Sequence, residues 1–170
     1  MTELKFPNVP QVYGRVLIGG TIQNDGFSRR KVYSTCTDNP AGHLLGETAD
    51  VDVGKVMEAV DAASLAWSNG LGDWPTSRME QRISAVVNFR GKMMAQREII
   101  SRFLMWEIGK SWVDAQAEFD RTIQYIDDTI EEVKTLDRDS SRFQFAGEIV
   151  AQIRRAPLGV TLCMGPFNYP

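Results

Sequence analysis

The chain has 170 residues, of which 43% are hydrophobic and 24% charged. That balance suits one soluble globular unit with a sizeable core and argues against extensive disorder. A formal net charge of −3 gives no clustered cationic surface for a phosphate backbone, so nucleic acid is not an expected partner. Met1 to Pro10 shows no basic region leading into an apolar core, and no apolar run approaches the roughly 20 residues that span a bilayer. A cytoplasmic protein without a membrane partner is therefore expected. Cys36 and Cys163 lack the close spacing of a metal knuckle or redox motif, so neither a disulfide nor a structural metal is expected.

In chain order, Arg15-Val16-Leu17-Ile18 reads as a short apolar strand, Gly19-Gly20 as its turn, and Thr21-Ile22-Gln23 as the return strand. Lys31 to Thr35 predicts another strand. Asn39-Pro40-Ala41-Gly42 then breaks the pattern, and Leu44-Leu45-Gly46 supplies a further short strand. His43, the single histidine, falls in the turn and reads as a surface residue.

From about Asp50 the period becomes helical. Val56, Val60, Ala63 and Trp67 share a face, Asp50 or Asp52 can cap the first amides, and Asn69-Gly70-Leu71-Gly72 ends the helix. Ser77-Arg78-Met79-Glu80 has the form of a capping box, with Pro75 just outside the helix that it opens. That helix carries Ile83, Val86, Val87, Arg90 and Met94, continues through Ile100, Phe103, Leu104 and Ile108 after a break near Arg97, and closes at Gly109. Phe119, Ile123, Ile126, Ile130 and Val133 then form the cleanest stripe in the chain, predicting another long helix.

After the polar stretch from Asp137 to Arg142, Ile149, Ala151 and Ile153 alternate as a strand does. The run Leu158-Gly159-Val160-Thr161-Leu162-Cys163-Met164 is almost wholly apolar and predicts a buried parallel strand, with Cys163 an inert core thiol. Such a strand needs hydrogen-bonded neighbours and helices over both faces, so the sequence reads as part of a larger sheet. No Gly-x-Gly-x-x-Gly and no phosphate loop is present, and Gly109-Lys110-Ser111 lacks the upstream glycine of a nucleotide cradle.

Arg155-Ala156-Pro157-Leu158-Gly159-Val160, followed by Met164-Gly165-Pro166-Phe167-Asn168-Tyr169-Pro170, resembles the aldehyde dehydrogenase signature, in which a strand runs into a proline, aromatic, asparagine, aromatic, proline turn. Ile18-Gly19-Gly20, Asn39-Pro40-Ala41, Glu107-Ile108-Gly109-Lys110 and the helix with Glu118 to Arg121 resemble other landmarks of the family. The resemblance runs from about residue 12 to the end of the chain. It departs from the family pattern at Ile22 and Ile108, where many members have tryptophan and threonine, and at the unusual Trp74-Pro75 loop.

The resemblance implies an α/β fold: the N-terminal portion of the aldehyde dehydrogenase fold, with β-rich oligomerisation segments, three long helices and the first strand of a Rossmann-like parallel sheet. Residues 1–48 would be the β-rich segment and 49–140 the helical part of the cofactor-binding domain. Residues 141–157 would carry an oligomerisation strand, and 158–170 the first strand and active-site turn. The implied chemistry is oxidation of an aldehyde to a carboxylate through a cysteine thiohemiacetal and thioester, with NADP or NAD as cofactor and NADP favoured. The nucleophilic cysteine and the glutamate base would lie beyond Pro170, leaving this stretch inactive by itself. Asn168 would be the catalytic group present, its side-chain amide donating to the developing oxyanion. Gly165, Pro166 and Phe167 would line the nicotinamide side of the cofactor groove. Phe167 and Tyr169 around the asparagine are closest to the non-phosphorylating glyceraldehyde-3-phosphate enzymes, which implies Arg121, Asn168 and Tyr169 as substrate-binding residues.

Read as residues alone, Asn168 shapes a strand-end turn, Phe167 is a hydrophobic plug, and Arg121 pairs with Glu118 or Asp120 on a solvated helix face. A non-catalytic helical interaction module is the alternative for the whole chain. The family reading implies a homodimer or homotetramer assembled through strands such as Arg15 to Gln23 and Gly147 to Arg155.

Overall fold

The structure is a computed structural model that describes residues 12–34, 36–38 and 40–169. The leader reading of Met1 to Pro10, Thr35 at a strand end, Asn39 of the predicted turn and Pro170 of the terminal motif lie outside the described residues. The β-rich opening comprises β1 (Val12–Tyr13), β2 (Val16–Ile18), β3 (Thr21–Gln23), β4 (Ser28–Ser34) and β5 (His43–Asp50). β2 and β3 pair antiparallel with Ile18 opposite Thr21, and Gly19 and Gly20 turn between them at φ 57° and 78°. Two successive positive φ values are what a two-residue hairpin with the right-handed strand twist requires.

β5 is the centre of a separate three-stranded sheet, parallel to β1 and antiparallel to β4. Both β4 and β5 are longer than their apolar cores predicted, because the ladder runs on through polar residues such as Arg29 and Thr48. His43 is thus the first residue of β5 rather than a turn residue, and its exposed ring stacks on Trp106 at 4.9 Å between centroids.

The helices follow: α1 (Val53–Trp67), α2 (Asp73–Thr76), α3 (Met79–Met94), α4 (Arg97–Ile108) and α5 (Trp112–Ser140). Asp52 caps α1, its carboxylate accepting from the Lys55 amide at 2.8 Å. The apolar stripe of α1 is only partly covered, since Val56 and Val60 remain exposed. The capping box of α3 is shifted by one residue: the Gln81 side chain accepts from the Arg78 amide at 2.9 Å. Ser77 instead donates to the Trp74 carbonyl at 2.6 Å and closes α2, whose first turn includes Pro75. The break near Arg97 separates two helices, α3 and α4.

The core sits where α4 crosses α5. Leu104 and Trp106 of α4 are buried with Ala115, Phe119, Ile123 and Ile130 of α5, and the stripe read from the sequence is the buried one. The fully buried Ser34 hydroxyl at the end of β4 donates to the Trp106 carbonyl and accepts from the Cys36 amide, tying sheet to helix. Polar seams finish the layer: Arg90 of α3 with Asp127 of α5 at 2.6 Å, and Arg97 of α4 bidentate to Asp120 of α5 at 2.7 Å. No helix among the described residues is long and apolar enough to cross a membrane.

Beyond α5, β6 (Gln144–Ala146) and β7 (Ile149–Ala151) form an exposed hairpin with Gly147 at φ 62° in its turn. Residues 158–164 differ from the sequence expectation. They join no ladder among the described residues, and Leu158 is 94% exposed. Cys163 is likewise exposed, not a core thiol. The reason is physical: a strand satisfies its backbone only through a neighbour, and none of the described strands lies beside this run.

Candidate active-site turn

The turn after Met164 is built from Gly165, Pro166, Phe167, Asn168 and Tyr169, and the Pro166 carbonyl accepts from the Tyr169 amide at 3.3 Å. All five are exposed, Phe167 at 92%. Phe167 therefore plugs nothing within the described chain, and Asn168 presents its amide to solvent. A Cβ placed on Gly165 would meet nothing within 4 Å, so the space in front of this turn is open.

Tyr169 carries the contact that joins the turn to the helices. The Lys110 ammonium stands 4.0 Å from the centre of its ring, within the range of a cation–π attraction. Lys110 also forms an ion pair with Glu118 of α5. Both partners are largely covered, with side chains 21% and 12% exposed. Local structure explains the placement. Gly109 ends α4 in the left-handed region at φ 73°, as predicted, and Ser111 caps α5 by accepting from the Asp114 amide. Lys110 is thus the hinge residue between two well-capped helices.

Arg121 lies one turn beyond Glu118 on α5 and is exposed. The two carboxylates it was expected to pair with are otherwise engaged, Glu118 with Lys110 and Asp120 with Arg97. The Arg97 guanidinium holds the Asp120 carboxyl below its ordinary range, and Asp120 in turn raises Arg97. The structure thus brings Tyr169 to the start of α5 through Lys110 and Glu118, while Gly165, Pro166 and Phe167 stand apart from the helical layer. The sequence reading named Glu107 to Lys110 and Glu118 to Arg121 as landmarks but missed the link between them. Its signal was a lysine directly after a helix-ending glycine with a glutamate two turns into the next helix.

Elsewhere, an apolar groove of about 350 Å³ runs between α3 and α5, lined by Trp74, Met79, Ile83, Val86, Ile130 and Val133 among others. None of the candidate residues lines it. No group of three or more His, Cys, Asp or Glu among the described residues is placed to hold a metal ion.

The chain is 27% identical to 1-pyrroline-5-carboxylate dehydrogenase of Bacillus subtilis over 93% of its own length. It is 28% identical to the succinate-semialdehyde dehydrogenase (NADP(+)) of Escherichia coli over 78%. It spans 29% and 27% of the lengths of those two relatives. Among solved structures, the NADP-dependent glyceraldehyde-3-phosphate dehydrogenase of Bacillus halodurans, complexed with NADP, superposes with a TM-score of 0.73. That match has 23% identity and covers 94% of this chain and 33% of that one. Aldehyde dehydrogenase 21 of Physcomitrella patens, in complex with succinate, superposes with a TM-score of 0.65 at 16% identity, covering 83% of this chain and 27% of that one. The family model described as the aldehyde dehydrogenase family matches residues 28–170, so the chain belongs to that family and has its α/β fold.

Proposed function

We propose that the chain is the N-terminal portion of an NAD(P)-dependent aldehyde dehydrogenase whose substrate is an aldehyde with an anionic tail, glyceraldehyde 3-phosphate foremost. The observation that carries the tail is the charge arrangement on α5. Arg121 is exposed with its neighbouring acids committed elsewhere, one turn from Glu118, the ion-pair partner of the Lys110 whose ammonium stands over the Tyr169 ring. A guanidinium free of carboxylates can take a phosphate or carboxylate bidentately, and the Tyr169 hydroxyl adds a donor.

Asn168, exposed beside Tyr169, donates its amide N–H to the oxygen that becomes an oxyanion when the aldehyde carbon turns tetrahedral. A nicotinamide cofactor, when bound, would supply the hydride acceptor. Gly165, Pro166 and Phe167 fit one wall of its groove, because Gly165 leaves open space and Phe167 offers an exposed apolar face. The NADP(+) named for the E. coli relative supports NADP over NAD. The nucleophilic cysteine and the base belong to the remainder of the protein. The β6–β7 hairpin, with Phe145, Ile149 and Val150 exposed, supports assembly as a homodimer or homotetramer.

The test is an assay of the full-length protein and of residues 1–170 with glyceraldehyde 3-phosphate, succinate semialdehyde and an uncharged aldehyde. Activity confined to the full-length protein, with preference for an anionic tail, is expected. Arg121→Leu should reduce that preference about 10–100-fold, the worth of a hydrogen bond to a charged group. A fragment as active as its parent, or a preference untouched by Arg121→Leu, rejects the reading.

A further inference from the structure

We infer that Lys110 is a positioning residue for the Asn168 turn, holding it against the α4–α5 junction through the ring of Tyr169. The inference rests on the function proposed for Asn168, and its geometry is independent of that function. The turn from Gly165 to Tyr169 is exposed throughout. Its hydrogen bond from the Tyr169 amide to Pro166 is internal and fixes its shape rather than its place. Place comes from the Lys110 ammonium, 4.0 Å from the ring centre of Tyr169, the residue next to Asn168.

A lysine side chain has four rotatable carbons and anchors poorly unless its own end is fixed. Here both ends are. The backbone of Lys110 follows the left-handed Gly109 cap, and its ammonium is ion-paired to Glu118 in a largely covered setting. Glu118 in turn lies next to Phe119, whose ring is buried in the α4–α5 core. The chain of contacts thus runs from core to Glu118, to Lys110, to Tyr169, and by one peptide bond to Asn168. Tyr169 thereby divides its work: the ring face is held by Lys110, and the hydroxyl is left to meet a substrate tail.

An oxyanion donor acts only when it points at the position of the transition-state oxygen, and a misplacement of about 1 Å can cost on the order of a hundredfold in rate. Loosening the anchor therefore lowers kcat, and for an uncharged aldehyde, which makes no use of the Tyr169 hydroxyl, it leaves KM nearly unchanged.

The experiment has two arms. In the full-length protein with labelled lysine, the ε-methylene protons of Lys110 are followed by NMR: they should be shifted upfield by the Tyr169 ring and return to ordinary positions in Tyr169→Leu. In the full-length enzyme, Lys110→Met combined with Glu118→Gln removes both charges together, so no covered charge is stranded. With an uncharged aldehyde as substrate, this double variant should lose about 10–100-fold in kcat, with KM changed less than about twofold. Lys110→Arg, which keeps a cation for both partners, should restore most of the rate. An ordinary Lys110 shift in the unaltered chain, or an unchanged kcat in the double variant, overturns the inference. So does a raised KM for anionic aldehydes at constant kcat, which would make Lys110 a ligand for the tail. If the full-length protein oxidises no aldehyde, the functional reading falls and the catalytic part of this inference with it, whereas a missing ring shift in an active enzyme removes the anchor alone.

Discussion

The α4–α5 pair and the run from Leu158 to Met164 are both rich in large apolar residues, yet one forms the core and the other lies open. Phe119 on α5 is 2% exposed, while Leu162 is 82% exposed. The difference lies in where each segment finds its backbone hydrogen bonds. A helix closes its own, so two amphipathic helices need only meet to bury their stripes. A strand must borrow its partners from another strand, and among the described residues none is offered to 158–164. Apolar composition thus specifies burial only where the backbone is satisfied first.

The largest expected effect exploits that contrast. Phe119→Ala should lower the stability of the chain by about 3–5 kcal/mol, and Leu162→Ala by less than about 0.5 kcal/mol, both read by denaturant unfolding. Comparable losses from the two would show that 158–164 is packed in solution. Next in size is a catalytic effect without a stability effect. Asn168→Ala in the full-length enzyme should lower kcat about 10²–10³-fold while its melting temperature stays within a degree or so of the parent's, because the side chain is exposed. A melting shift matching the rate loss would make Asn168 a structural turn residue. Smaller again is Gly109→Ala. The φ of 73° disfavours any side chain, and a Cβ there would stand 3.1 Å from the Cys36 sulfur, so a loss of about 1–2 kcal/mol is expected. Because Lys110 follows directly, the same variant should weaken its ring-current shift.

Much of the helical layer was legible because its information is local. The Asp52 cap, the Gly109 stop and the α5 stripe each follow from spacing within a turn or two, and each is found. The capping box was misplaced by one residue because Ser77 and Gln81 serve different helix ends, which spacing alone does not resolve. The strand lengths were underestimated because polar residues of β4 and β5 pair by backbone and leave no apolar alternation to read. Of the candidate site, the Gly165 to Tyr169 turn was visible as a motif, since its distinctive residue types are contiguous in the sequence. Its tether was not, because Lys110 and Tyr169 are brought together by the crossing of α4 and α5 and by the return of the chain after β7, a contact between residues far apart in sequence.

The smallest expected effect concerns the seam beside that site. Arg97 donates two hydrogen bonds to Asp120 at 2.7 Å and lowers the Asp120 pKa in the folded chain. A carboxyl whose pKa is depressed by folding contributes stability above its unfolded value, about 3.9, and loses it as pH falls through the lower folded value. At pH 7 the contribution is therefore fully present, and Asp120→Asn should cost less than Gly109→Ala because the pair is exposed and screened by salt. Below about pH 4 the cost should shrink toward zero, since the unaltered carboxyl then takes up its proton as well. The substitution also leaves Arg97 without its carboxylate and Arg121 with one less anion nearby. If Arg121 holds the substrate tail, Asp120→Asn should leave the preference for anionic aldehydes intact or slightly raised. A fall in that preference would mean that Asp120, not Arg121, orders the tail end of the site.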